Sequence, residues 1–307
     1  MVVRPRPGLF EILFTLRGSI LPEVAPKVIG IAAVACGVVA VERHWPHPFP
    51  EAAGIGPFTL IGLALSIFLS FRNNACYDRW WEARRAWGQL ITETRNLART
   101  LPALLAGPEQ EARRQRCLRR VCAFTHALHA RLRGGDEAAA AGPWLPPAEA
   151  ALLPGRPSPA DATLTALMAD LGEGMRAGAH GEVGLGLLER PIAALAQVQA
   201  ICERIQGTPL PFAYTLLLYR TAWLYCLLLP FGLAATLGWA TPIAAALVAY
   251  TFFGLDALGD QLEEPFGTDA NDLPLDALLH VVDATILDAL GEPLPAPPAR
   301  AHAHILN

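Results

Sequence analysis

The longest apolar stretch of this sequence constrains its fold more than any other feature. From Phe212 to Leu255 the chain runs for 44 residues with a single charged side chain, Arg220. A membrane-spanning helix needs roughly 20 apolar residues. The stretch is therefore long enough for two spans, with Gly-Trp-Ala-Thr-Pro at 238–242 as the turn between them. Only 17% of the chain is charged, against roughly 25% in soluble domains, and the sequence thus predicts a membrane protein.

Two shorter apolar stretches precede this one, at 28–41 and 57–71. Each has about 15 residues, which is too short for an upright span, so their flanks must lengthen them. The first is expected to begin near Pro22. The second can continue past Phe71, because neither glycine nor proline interrupts the charged sequence that follows. Together with the long stretch, they predict four transmembrane helices.

The rest of the chain predicts an all-α fold, since it shows helical periodicity and no convincing strand pattern. The predicted organisation is a cytosolic N-terminal segment at 1–26, the first two spans at 27–71, a cytosolic helical region at 72–206 with a Gly-, Pro- and Ala-rich loop at 134–160, the last two spans at 207–256, a cytosolic helical segment at 257–290 and a proline-rich tail at 291–307. Arginines are concentrated outside the two short links between spans. The positive-inside bias therefore places both termini and the large helical region in the cytoplasm.

Charge and cysteine usage exclude several classes of function. The net charge of −4 does not suit a strongly basic nucleic-acid binder. The six cysteines include no CxxC pair and are expected to be reduced packing residues. His126 and His129 share a helix face, as metal ligands would, but no acidic third ligand lies close to them in sequence, which favours ordinary surface or vestibule positions. No cleavable signal peptide is visible, so insertion is expected to use the internal spans.

The second apolar stretch carries two sets of residues spaced four apart. One set is large and apolar: Leu63, Ile67 and Phe71. The other is small: Gly62, Ser66 and Ser70. Small residues let membrane helices approach closely, which would allow this helix to pack against copies of itself. From periodicity alone, the large set is more readily explained by contact with lipid or core than by a pore.

Two further motifs resemble one known family. The string FRNNACYDRWWEARRAWG at 71–88 is similar to the bestrophin signature that follows the second helix, and GDQLEEPFGTDANDLPL at 259–275 is similar to the segment after the fourth. The resemblance covers roughly residues 8–290, apart from the 134–160 loop. It implies a homopentameric ion channel around one central pore, in the inner membrane of a bacterium.

The resemblance also implies which residues form the site. Counting back from Arg-Trp-Trp assigns the hydrophobic neck of the pore to Leu63, Ile67 and Phe71, the same residues that the spacing groups together. Five copies of each would make three stacked apolar rings, which can gate by dewetting. A second constriction at the cytosolic end is assigned to Ile205, or to Thr208 if the alignment shifts by one turn.

The acidic motif at 268–274 implies a calcium clasp in animal members of the family. Here only Asp269 and Asp272 remain, separated by Ala270 and Asn271. Fewer carboxylates hold a hard cation less tightly, so calcium is possible but is not expected to be required. The alternative is a solvated turn that begins the following helix. No other cofactor is expected.

The sequence favours small monovalent cations, sodium or potassium, as the conducted ions. The argument rests on acids near the last membrane exit: Asp256, Asp260, Glu263 and Glu264. These acids could instead pair with nearby arginines, at positions 72, 79, 84 and 85, and chloride selectivity is the alternative. The expected partners are four further copies of the chain, the ions and membrane lipids, without nucleic acid.

Functions of other classes remain open at this point. No GxSxG, HExxH, Walker or GxGxxG motif is present, so an enzyme is not expected. A secondary transporter would be expected to show inverted repeats and broken helices, which four unequal spans do not supply. A non-conducting membrane scaffold is the remaining alternative.

Overall fold

The computed structural model describes residues 8, 15, 18–45 and 56–296. That part of the chain contains helices and turns and no strand. The α-helices are α1 Leu21–His44, α2 Gly56–Leu104, α3 Glu111–Leu132, α4 Glu137–Ala141, α5 Pro147–Ala150, α6 Pro159–Arg176, α7 Glu182–Gly207, α8 Phe212–Leu237, α9 Thr241–Glu263 and α10 Leu275–Leu290. The all-α prediction is confirmed.

The apolar helices lie where the sequence predicts them. Within the described residues, the stretches long and apolar enough to cross a membrane are Leu21–His44, Gly56–Leu104 and Phe212–Glu263. The last has 52 residues and divides into α8 and α9 at the 3-10 turn Gly238–Ala240. Gly238 adopts a φ of 49°, a region that glycine enters without a Cβ penalty, and this ends α8. Four apolar helices result.

The described residues divide into two compact units, each built around its own core. One unit, here called the apolar unit, comprises residues 18–45, 56–80 and 209–265. The other, the charged unit, comprises residues 81–208 and 266–296. Helix α2 supplies residues to both, because its 49 residues run without interruption past Phe71 and the charged sequence beyond it.

In the apolar unit, α1, the first part of α2, α8 and α9 share one core. Its buried residues are Val24, Ile31, Ala35, Leu65, Leu69, Leu218, Ala222, Cys226, Ala245, Ala249, Phe252, Phe253 and Ala257. Ala245, Ala249 and Ala257 lie on one face of α9 and leave room for a neighbouring helix. Glycine does the same between α2 and α8, since a Cβ on Gly62 would lie 2.6 Å from the Tyr225 hydroxyl oxygen. Gly62, one of the three small residues spaced four apart on α2, thus packs against α8 of the same chain.

In the charged unit, α3 carries an arginine cluster that binds one buried aspartate of α6. Arg113 Nε, Arg116 Nε and Arg120 Nη1 donate to the carboxylate of Asp170 at 3.0, 3.1 and 2.7 Å. Arg120 also donates to Glu149 Oε1 at 2.8 Å. The spacing of three and four residues places the arginines on one face of α3. Although burial acts to raise it, hydrogen bonds from Arg116, Arg120 and Arg113 hold the pKa of Asp170 below its usual range.

Several predicted boundaries differ from the structure. The first apolar helix begins at Leu21, inside the segment 1–26 predicted to precede it. The segment 134–160 is not a simple loop: Asp136 caps α4 by accepting from the N–H groups of Ala138 and Ala139, and α5 follows. Leu153 is buried there, so apolar anchors fold this segment against the unit. The link at 46–55, most of 1–17 and the tail from 297 lie outside the described residues.

Candidate functional site: an exposed apolar stripe on α2

Leu63, Ile67 and Phe71 lie on an exposed face of α2. Their exposed fractions are 59%, 46% and 61%. On the opposite side of the same turns, Leu65 and Leu69 are 2% and 1% exposed within the core. Burying large apolar side chains is favourable, so three of them left uncovered at one helical spacing indicate a surface that another chain, lipid or a pore completes.

Contacts from the neighbouring helices fix the rotation of α2. The Tyr214 hydroxyl of α8 donates to the Phe68 carbonyl oxygen of α2 at 2.9 Å. The side chains of Leu65 and Leu69 belong to the core that α2 shares with α1, α8 and α9. With one side of the helix held by these contacts, the stripe of Leu63, Ile67 and Phe71 must point away from the core of the chain.

Directly after Phe71, a buried arginine binds the end of α9. Arg72 is 1% exposed, and its Nη1 donates to Asp256 Oδ1 at 3.0 Å and to the Asp256 carbonyl at 3.3 Å. Its Nη2 donates to Asp260 and, at 3.4 Å, to Glu263 Oε2. Gly259 permits this approach, since a Cβ there would lie 3.0 Å from Arg72 Nη1. The guanidinium therefore bridges α2 and α9 beside the last residue of the stripe.

This bridge weakens the argument for cation selectivity that the sequence suggested. Four acids were expected to attract cations. Three of them, Asp256, Asp260 and Glu263, bind Arg72, while Glu264 is exposed. Glu263 also accepts from the backbone N–H of Leu210 at 3.0 Å, and its carbonyl accepts from Arg79 Nε at 3.2 Å. The alternative, that these acids pair with arginines, is the arrangement that forms at Arg72.

The two candidates for the cytosolic constriction differ in exposure. Ile205 is 2% exposed, so its side chain belongs to the interior of the charged unit and is not available at a surface. Thr208, three residues further on, is exposed at the end of α7. Core packing explains why residue 205 is apolar. Of the two candidates, only Thr208 has its side chain at the surface.

Asp269 and Asp272 form a hydrogen-bonded turn. Asp272 Oδ2 accepts from the backbone N–H of Asp269 at 2.7 Å, and the Asp272 N–H donates to the Asp269 carbonyl at 3.1 Å. Burial raises the pKa of Asp272, although the bond from Asp269 opposes this. A buried carboxylate with a raised pKa and one oxygen already bonded is a weak ligand for a hard cation. The two aspartates therefore form a turn, which was the alternative to a calcium clasp. The turn differs from the predicted one in that Asp272 is buried, at 3% exposure, and not solvated.

Acidic partners of two histidines were missed by sequence reasoning. His126 Nε2 lies 2.9 Å from Asp283 Oδ1, and His129 Nε2 lies 2.7 Å from Asp276 Oδ1. Both aspartates belong to α10, about 150 residues away, so no local signal could find them. Burial lowers the pKa of His129 against the opposing effect of Asp276. Over residues 18–45 and 56–296, no group of three or more side chains is arranged to bind a metal.

Comparisons with known proteins agree on one family. The sequence profile described as "Bacterial/Fungal Bestrophin protein" matches residues 1–288. A protein of Mesorhizobium japonicum named as a voltage-dependent anion channel-forming protein is 47% identical, over 97% of this chain and 94% of its own length. A protein of Ralstonia nicotianae with the same description is 38% identical over the full length of both chains.

The fold is likewise similar to solved structures. A crystal structure described as a bacterial bestrophin homologue from Klebsiella pneumoniae superposes with a TM-score of 0.82 at 33% sequence identity. The match covers 88% of this chain and 99% of that one. Sequence and fold therefore give the same assignment over most of the chain.

Proposed function

This chain belongs to the bacterial and fungal bestrophin family, and from that premise we propose that it forms a homopentameric ion channel conducting small monovalent anions passively across a membrane. One observation carries the proposal: the uncovered apolar stripe of α2. Leu63, Ile67 and Phe71 are each about half exposed or more in the single chain. Five copies facing a common axis would cover the stripe and turn it into the neck of a pore.

The chemistry of the stripe suits a gate. Large apolar side chains offer an ion no ligand in place of its water, so a narrow ring of them conducts only when it is wide enough to remain wet. Three rings separated by about one helical turn, roughly 6 Å, would form a constriction longer than a single hydration shell. Thr208 is the candidate for the second, cytosolic constriction.

Anion selectivity is proposed in place of the cations that the sequence favoured. Relatives spanning nearly the whole chain are named as voltage-dependent anion channel-forming proteins. The pairing of Arg72 with three carboxylates also supports it, because acids bound to a buried guanidinium attract passing cations less than free acids do. Calcium is not proposed as a requirement, given the turn formed by Asp269 and Asp272.

The proposal includes a location and an orientation. The chain would lie in the inner membrane of a bacterium, with α1, α8, α9 and the first part of α2 in lipid. Both termini and the charged unit would lie in the cytoplasm, where arginine-rich segments are retained.

Reversal potentials of the purified protein in planar bilayers test the selectivity. In a NaCl gradient, we expect the current to reverse near the chloride equilibrium potential. A reversal near the sodium equilibrium potential would overturn anion selectivity while leaving the channel intact, and the absence of current at every voltage would overturn the channel. The mass of the protein in detergent tests the assembly separately: we expect five chains, and any other number would contradict the pore geometry.

A further inference from the structure

An acidic residue continues the exposed stripe of α2 beyond its apolar part. Asp78 follows Phe71 by seven residues, which is about 20° short of two full helical turns. The residue therefore lies beneath Phe71 on the same face, about 10 Å along the helix axis. Asn74 stands in the same relation to Ile67, and both Asn74 and Asp78 are exposed. The same face of α2 thus carries apolar side chains up to Phe71 and polar side chains at Asn74 and Asp78.

Two arginines close to Asp78 on α2 bind other groups, and the next charge on the same face, the exposed Arg85, follows seven residues later. Arg72 is buried against α9, and Arg79 donates to the Glu263 carbonyl. For Asp78, in contrast, no hydrogen bond or ion pair is found among the residues that the structure describes. Asp78 is therefore the first acid on this face after the apolar stripe, and no bonded partner occupies its carboxylate.

We infer that Asp78 is a charge-selectivity determinant of the channel, an inference that rests on the proposed pore. Five copies of α2 around one axis would place five carboxylates at one end of the neck. Such a ring concentrates cations and depletes anions at the entrance to the narrowest part of the path. Asp78 would therefore lower the ratio of chloride to sodium permeability, whichever ion the intact channel prefers.

The size of the effect follows from distance and screening. A unit charge about 10 Å from an ion in water acts weakly, and a Debye length of about 8 Å at 0.15 M salt weakens it further. Five such charges together change the local concentration of a monovalent ion by about threefold, upwards for cations and downwards for anions. The permeability ratio should therefore change by about sevenfold when the ring is neutralised.

Neutralisation of Asp78 in the full-length channel tests the inference. The Asp78→Asn variant keeps the shape of the side chain, and in planar bilayers we expect its chloride-to-sodium permeability ratio to rise about sevenfold over the unaltered protein at 0.15 M salt. At 1 M salt, where the Debye length is about 3 Å, the difference should largely disappear. The matched control is Glu189→Gln, which removes an exposed acid from α7 and should leave the ratio unchanged.

A second variant tests the charge itself in assembled channels. Asp78→Cys is made in a Cys36→Ser background, because Cys36 is exposed while the other five cysteines are buried. A sulfonate-bearing thiol reagent should then lower the chloride-to-sodium ratio, and an ammonium-bearing reagent should raise it. Equal shifts from both reagents, no shift from either, or an unchanged ratio in Asp78→Asn would overturn the inference. A lack of current in the unaltered protein would instead count against the channel.

Discussion

Replacing Arg72 by methionine should destabilise the protein more than any exposed arginine substitution. The Arg72 side chain is 0% exposed and that of Asp256 is 5% exposed, so the Asp256 carboxylate cannot turn to water when its partner is lost. Breaking a buried ion pair by removing one partner costs about 3–5 kcal/mol. Asp260, whose side chain is 56% exposed, can hydrate and should add little to this cost.

Thermal unfolding of the purified protein in detergent measures the effect. At about 2–4 °C per kcal/mol for a chain of this size, Arg72→Met should lower the midpoint by about 10 °C. Combining it with Asp256→Asn removes the stranded charge and should restore more than half of the loss. Arg85→Met, at an exposed position of the same helix, is the control and should shift the midpoint by less than about 2 °C. A small shift in Arg72→Met, or a double variant no more stable than the single one, would refute the reasoning.

Three further predictions concern other contacts. Gly259→Ala places a methyl group 2.6 Å from Asn73 Oδ1 and should lower the free energy of unfolding by about 1–3 kcal/mol. Gly30→Ala is the control, since open space surrounds Gly30, and it should be neutral or stabilising in the same thermal assay. Asp170→Asn removes the charge that three arginines share and should cost about 3 kcal/mol in denaturant unfolding; a loss below about 1 kcal/mol would show that the cluster is not a stabilising network. The pKa of His129 is lowered in the folded protein, so the unfolded chain binds more protons and stability should fall as the pH drops through about 6.5. His129→Gln should flatten that part of the pH profile, and an unchanged slope would contradict it.

The sequence predicts the helices of the apolar unit well because their signal is local. Length and hydropathy locate the spans, and the absence of a breaker after Phe71 correctly indicates that α2 continues past that residue; the helix runs on to Leu104. The spacing of Leu63, Ile67 and Phe71 groups the residues that the structure leaves exposed on one face. Which face is covered, however, depends on packing against other helices, and periodicity alone cannot decide it.

The remaining features depend on partners distant in sequence. Arg72 and Asp256 are 184 residues apart, so their pairing could be offered only as one alternative to free acids. Ile205 has the apolar side chain expected of a constriction, but only tertiary contacts reveal that it is buried. The helices within 134–160 were missed although Asp136 is a good N-cap residue, because glycine and proline around it favour a loop.

Ion flux through liposomes containing neck variants tests the central claim most directly. Changing Leu63, Ile67 and Phe71 together to alanine should widen and wet the proposed neck, so chloride efflux should be faster than for the unaltered protein at equal protein density. The double variant Ile61→Ala with Phe68→Ala removes exposed apolar side chains from α2 about 100° away from the stripe and should leave the efflux near its original rate. Unchanged efflux in the triple variant, or an equal increase in the control, would contradict an ion path along this face of α2.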